Sequence, residues 1–204
     1  MKSSMVIKIS ILLFLCSCGN HSVSKEIVEQ YQETFNSKMK QYSLTNDTTM
    51  IPQIIACCDS LMSVIDKQDK RYYSYFHTKN IMLAEQGHLE NALENEIKYY
   101  SNKTECVYKA KYYNLIALKY QLANNRQIAD RYYKNAIAEY KKSPMTENVV
   151  VQIVNCYMMM NMDDAAKQLL LDSKKKYSSK ALGYMYDNYD NLKTEALAAA
   201  LKMK

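Results

Sequence analysis

The chain of 204 residues contains no tryptophan, three glycines and two prolines. Glycine and proline together make up roughly 12% of an average chain. So small a supply leaves little with which to build hairpin turns, barrel corners or the glycine-rich loops that cradle phosphates. Most β architectures and nucleotide-binding folds are thereby excluded. The sequence also lacks Gly-x-Ser-x-Gly, His-Glu-x-x-His and Cys-x-x-Cys, and with them the best-defined hydrolase, zinc-protease and dithiol chemistries. His21, His77 and His88 show no ligand spacing with the cysteines, so a zinc site has no support. No pair among the 21 carboxylates stands out by position. The expectation is a protein that is not an enzyme and carries no cofactor and no metal.

What is present points to helices. Nineteen tyrosines and thirteen methionines supply most of the large side chains, one type amphipathic and the other flexible, as suits repeated helix packing with polar tips at the surface. An all-α fold follows as the expectation.

Residues 1–17 read as a secretory leader. Lys2 and Lys8 precede an apolar stretch, Ile9 to Cys16, far short of the roughly 18 residues needed to span a bilayer. The stretch ends Leu15-Cys16-Ser17-Cys18-Gly19, which resembles the lipobox of bacterial lipoproteins. The resemblance implies acylation of Cys18, a polar tether over residues 18–24, and anchorage to a bacterial envelope membrane. The tether has no acidic run; in the Bacteroidetes-like lipoproteins that this leader resembles, such a run accompanies surface export. The expected location is therefore the outer membrane, facing the periplasm.

The basic excess, +6 over the whole chain, includes the two leader lysines and is modest without them. Its one run, Lys174-Lys175-Lys176, suits the end of a helix, where cations favour the dipole. Asp163-Asp164 suits a helix start for the converse reason. Nucleic acid is not an expected partner. Cys58 continues an apolar helical series with Ile54, Ile55, Leu61, Met62 and Ile65, so it reads as a small core residue. Whether Cys57, Cys58, Cys106 or Cys156 form disulfides is left open by the sequence.

The strongest signal is a period. Ala92, Ala129 and Ala166 stand 37 residues apart, each just after a short break between two stretches of helical periodicity. The unit is helix, turn, helix. Its middle copy reads Tyr113-x2-Ile116-Ala117-x2-Tyr120, then Ala129-x3-Tyr133-x2-Ala136, and resembles a tetratricopeptide (TPR) repeat. Small residues let two helices approach, and the tyrosines fill the space beside them. The upstream copy departs from this pattern: Lys79 and Asn80 replace the aliphatic and small residues, and Glu96 replaces the second aromatic. The downstream copy keeps Val150, Ile153, Tyr157, Ala166 and Leu170.

The resemblance implies a right-handed α-α superhelix with three repeats over residues 73–177, preceded by a helical pair over 25–72 and closed by capping helices over 178–204. In such arrays the first helices line a groove that takes peptides or proteins. Carried onto this chain, the groove set is His77, Ile81, Lys111, Asn114, Leu118, Val151, Asn155 and Met158. The partner implied is another envelope protein or a peptide. The alternative is a glycan- or peptide-binding accessory of an uptake system, gripping its ligand through tyrosines. The Met158-Met159-Met160-x-Met162 cluster is expected to pack rather than to bind copper, because consecutive helical positions diverge.

Overall fold

The computed structural model describes residues 25–202, with side chains described through residue 196. The expected leader, Cys18 and the tether lie outside the described residues. Every regular element among those described is helical. The chain divides into two compact units, Met1–Tyr75 and Phe76–Lys204.

In the first unit, α1 (Lys25–Thr45) leads through Asn46 and Asp47 into a 3-10 turn (Thr48–Met50) and α2 (Ile51–Val64). The turn-rich sequence places the start of this connector at Ser43, but α1 continues through Thr45, whose hydroxyl donates to the Gln41 carbonyl at 2.9 Å. Asn46 then takes a left-handed conformation, φ 50°. Asp47 accepts from the Thr49 amide at 3.0 Å and the Thr49 hydroxyl at 2.7 Å, and these bonds lower its pKa. Pro52 sits in the first turn of α2, where no intrahelical donor is lost. Ile51, Ile54, Cys58 and Leu61 are buried and form one face at helical spacing. Cys58 is thus a core residue. The third helix, α3 (Lys70–Glu85), begins in this unit, and its Tyr75 ring meets Phe35 edge-on at 5.1 Å.

The second unit contains the remainder of α3 and then α4 (Leu89–Ser101), α5 (Cys106–Leu122), α6 (Arg126–Tyr140), α7 (Glu147–Met159), α8 (Asp163–Tyr177), α9 (Lys180–Asp187) and α10 (Tyr189–Lys202). The 37-residue period reappears here as backbone geometry. The left-handed residues between α3 and α4, α5 and α6, and α7 and α8 are Gly87, Asn124 and Asn161, each 37 residues from the next. Each turn closes with the same pair of bonds. His88, Asn125 and Met162 donate to the carbonyls of Leu83, Tyr120 and Tyr157 at 2.8–2.9 Å, and Gly87, Asn124 and Asn161 donate to those of Ala84, Gln121 and Met158 at 3.0–3.1 Å. This is the Schellman arrangement, which needs a residue that tolerates positive φ; Gly and Asn both do. Three such turns therefore require only one glycine.

The helices of the hairpin α5–α6 are closely packed. Ala117, Ala129 and Ala136 are almost wholly buried at its crossing, and Tyr133 beside them donates from its hydroxyl to Gln121 Oε1 at 2.6 Å. The Tyr120 and Tyr132 rings lie nearly parallel, 5.8 Å apart. Helix α7 serves two cores. Val149, Ile153 and Cys156 join the cluster built on α5–α6, while Val150, Val154 and Met158 join Ala166, Leu170, Leu182 and Tyr189 in a second one. That double duty explains why α7 is apolar around most of its circumference. Burial pushes the Cys156 thiol up to about 12, so it acts as a small hydrophobe. None of Cys57, Cys58, Cys106 and Cys156 forms a disulfide.

Candidate functional site

The eight residues assigned to a groove belong to α3, α5 and α7, the first helices of the three hairpins. His77 and Ile81 of α3 are exposed, and Lys111, Asn114 and Leu118 of α5 are half-buried. On α7, Val151 and Asn155 are half-buried, with Val151 packed against the second core cluster. Met158 requires a correction. It is 3% exposed within that cluster, because α9 and α10 bring Leu182 and Tyr189 against the same core. A side chain so enclosed offers nothing to a ligand. The other methionines of the run diverge as helical geometry requires: Met160 is buried in the first cluster, Met159 Sδ lies 3.6 Å from Gln121 Nε2, and Met162 is exposed.

Behind His77 stands a polar centre. Glu96 of α4 is buried, and its Oε1 accepts from Asn80 Nδ2 at 2.9 Å and lies 3.0 Å from His77 Nδ1. A carboxylate can only accept, so it is His77 Nδ1 that donates, which fixes the orientation of the ring. Asn95 Nδ2 donates to Asn80 Oδ1 at 3.2 Å, which completes a short chain of bonds from α3 to α4. Lys111 lies on the other side, with Nζ 3.5 Å from the Tyr100 hydroxyl and 5.6 Å from that ring's centroid. Burial lowers the Lys111 pKa, and the Glu96 charge opposes that shift.

The sequence marks Asn80 and Glu96 only as two departures from the repeat. One period later their places are taken by Ala117 and Tyr133, both buried in the apolar cluster of the α5–α6 hairpin. In α3–α4 the small residue and the large ring are replaced together by an amide and a carboxylate that hydrogen-bond. The signal is the coincidence of two polar exceptions at facing positions.

The end of the unit holds a second set of charged contacts. Asp163 and Asp164 occupy the first turn of α8, but the capping position is Met162 and makes no side-chain bond. Asp163 instead accepts from Lys193 Nζ at 2.7 and 2.8 Å and from the Tyr189 hydroxyl at 2.9 Å. Both aspartates thus stand at the helix start as expected, but Asp163 makes a tie to α10 in place of a capping bond, and the hydrogen bonds from Lys193 and Tyr189 lower its pKa. Lys174, expected to be a solvated helix end, lies 4.2 Å from the Tyr186 ring centroid and 3.8 Å from Asp187. Lys167, two turns earlier, meets the Tyr189 ring at 5.1 Å and Asp190 at 3.0 Å. Two Tyr-Asp pairs therefore hold two lysines, each by a ring face and a carboxylate.

Among the described residues no three His, Cys, Asp or Glu side chains are placed to hold a metal ion, and no helix is long and apolar enough to cross a membrane. The chain matches no protein-family model, no curated protein and no solved structure.

Proposed function

We propose that this chain is a lipid-anchored, TPR-like scaffold of the bacterial cell envelope that binds another envelope protein or a peptide and performs no catalysis. The observation that carries the reading is the recurrence of one hairpin turn at Gly87, Asn124 and Asn161. Three hairpins of equal spacing, each entering its second helix through the same closed turn, are what a solenoid of helical repeats requires. The superhelix itself is part of the proposal. Its first helices present His77, Ile81, Lys111, Asn114, Leu118, Val151 and Asn155 with part of their surface in solvent. The mixture of amide, cationic and apolar groups suits the backbone and side chains of a bound polypeptide. The anchor is acylated Cys18 on the outer membrane, facing the periplasm, and its support is the lipobox-like sequence.

Crosslinking in native cells followed by affinity purification tests this, with wild type compared against an Asn114→Ala, Asn155→Ala double variant of unchanged melting temperature. One partner that is recovered with wild type and lost with the variant is the expected result. Recovery of no groove-dependent partner overturns the scaffold reading and favours the glycan-binding alternative, for which calorimetry against oligosaccharides is the direct measurement.

A further inference from the structure

Five described residues hold positive φ: Asn46, Gly87, Asn124, Asn161 and Ser178. Glycine and asparagine adopt that conformation at little cost, whereas serine, with its Cβ and no amide, does so less readily. Ser178 forms the reversal between α8 and α9, with φ 50° and ψ 34°. The sequence around it, Lys175-Lys176-Tyr177-Ser178-Ser179-Lys180-Ala181, contains neither Gly nor Pro, and α9 starts two residues later. Were Ser178, and with it Ser179, which is extended at φ −84° and ψ 121°, to take the ordinary right-handed conformation, α8 and α9 would run on as one helix. That change would carry α9 and α10 away from their own hairpin and expose Val154, Leu170, Leu182 and Tyr189, all buried now. A lone molecule therefore stays folded back. Two opened molecules, however, offer each other the surfaces they have lost.

We propose that α9–α10 is an exchangeable cap, and that its second acceptor is the α7–α8 hairpin of another copy of this chain. In the exchanged pair each cap makes the contacts it makes now: Leu182 and Tyr189 in the apolar cluster, Asp163 with Lys193, and Lys167 with Asp190. Both Ser178 turns are released at the same time. The charged ties give the docking its direction, since a cap without Asp190 and Lys193 would meet Lys167 and Asp163 of α8 with no opposite charge. This inference does not depend on the groove.

The test mixes two full-length variants, Asp163→Lys and Lys193→Asp, and measures mass by light scattering. Each alone opposes like charges at this contact, in its own fold and in a homodimer. In an exchanged heterodimer the lysine introduced by the first substitution meets the aspartate introduced by the second, and the other contact joins native Asp163 to native Lys193. A 1:1 dimer that forms on mixing and in neither sample alone is expected; no dimer on mixing overturns the proposal. A second pair of variants guards against poor folding. Ser178→Gly should lower the dimer fraction of the otherwise native chain severalfold, and Ser178→Ala should raise it. Equal dimer fractions in the two would also overturn it.

Discussion

At the crossing of α5 and α6, a methyl group is the largest side chain that Ala129 can carry. It is 1% exposed, with Ala117 and Ala136 as fully enclosed neighbours. Ala129→Leu should destabilise the protein by about 1–3 kcal/mol through overpacking, seen as a lower melting temperature. An unchanged melting temperature would count against close packing at this point. Asp163 carries a pH dependence of definite sign. Hydrogen bonds from Lys193 and Tyr189 lower its pKa below 3.8, so its contribution is complete above that value and is lost as pH falls through the lowered native one. The melting temperatures of wild type and Asp163→Asn should therefore differ most near neutral pH and converge in strong acid. A difference that persists unchanged in strong acid would show that the carboxylate charge is not what holds α10.

At the scale of the element, α3–α4 and α5–α6 solve one packing problem in two ways. Asn80→Ala takes from buried Glu96 its 2.9 Å donor and should cost about 1–3 kcal/mol, the penalty for leaving a buried polar group short of a partner. Asn80→Ala with Glu96→Tyr restores the residue types of Ala117 and Tyr133, and should cost less than the two single changes summed. Urea unfolding of the four proteins gives the coupling directly. The same pair shows where the sequence is legible. Repeat spacing and helical periodicity locate the hairpins because Ala92, Ala129 and Ala166 recur at a position that tolerates only small residues. Periodicity is blind to partners, so Asn80 and Glu96 register as two defects rather than one hydrogen bond. Met158 escapes a sequence reading for a related reason. Its register matches the groove face, but its side chain is enclosed with Leu182 and Tyr189 of α9–α10, and long-range contacts of this kind leave no local trace. The place of Asp163 on α8 suggests a cap, and the partners that draw it away lie 26 and 30 residues later.

For the molecule as a whole, the arrangement of clusters sets the order in which parts come loose. Helix α7 contributes Val149, Ile153 and Cys156 to one core and Val150, Val154 and Met158 to the other, whereas α1, at 21 residues one and a half times the length of α2, buries none of its own. Amide protons leave a helix when the structure around it opens, and local openings are cheapest where few apolar contacts must break. The amides of α7 can be reached only when both of its clusters give way. In deuterated buffer, mass spectrometry should accordingly find α7 the slowest helix to take up label and α1 among the fastest. Equal uptake in the two would mean that the clusters do not open independently of α7. The helix that joins two cores is in this sense the clock of its unit, the last segment to record that the chain has been in solvent.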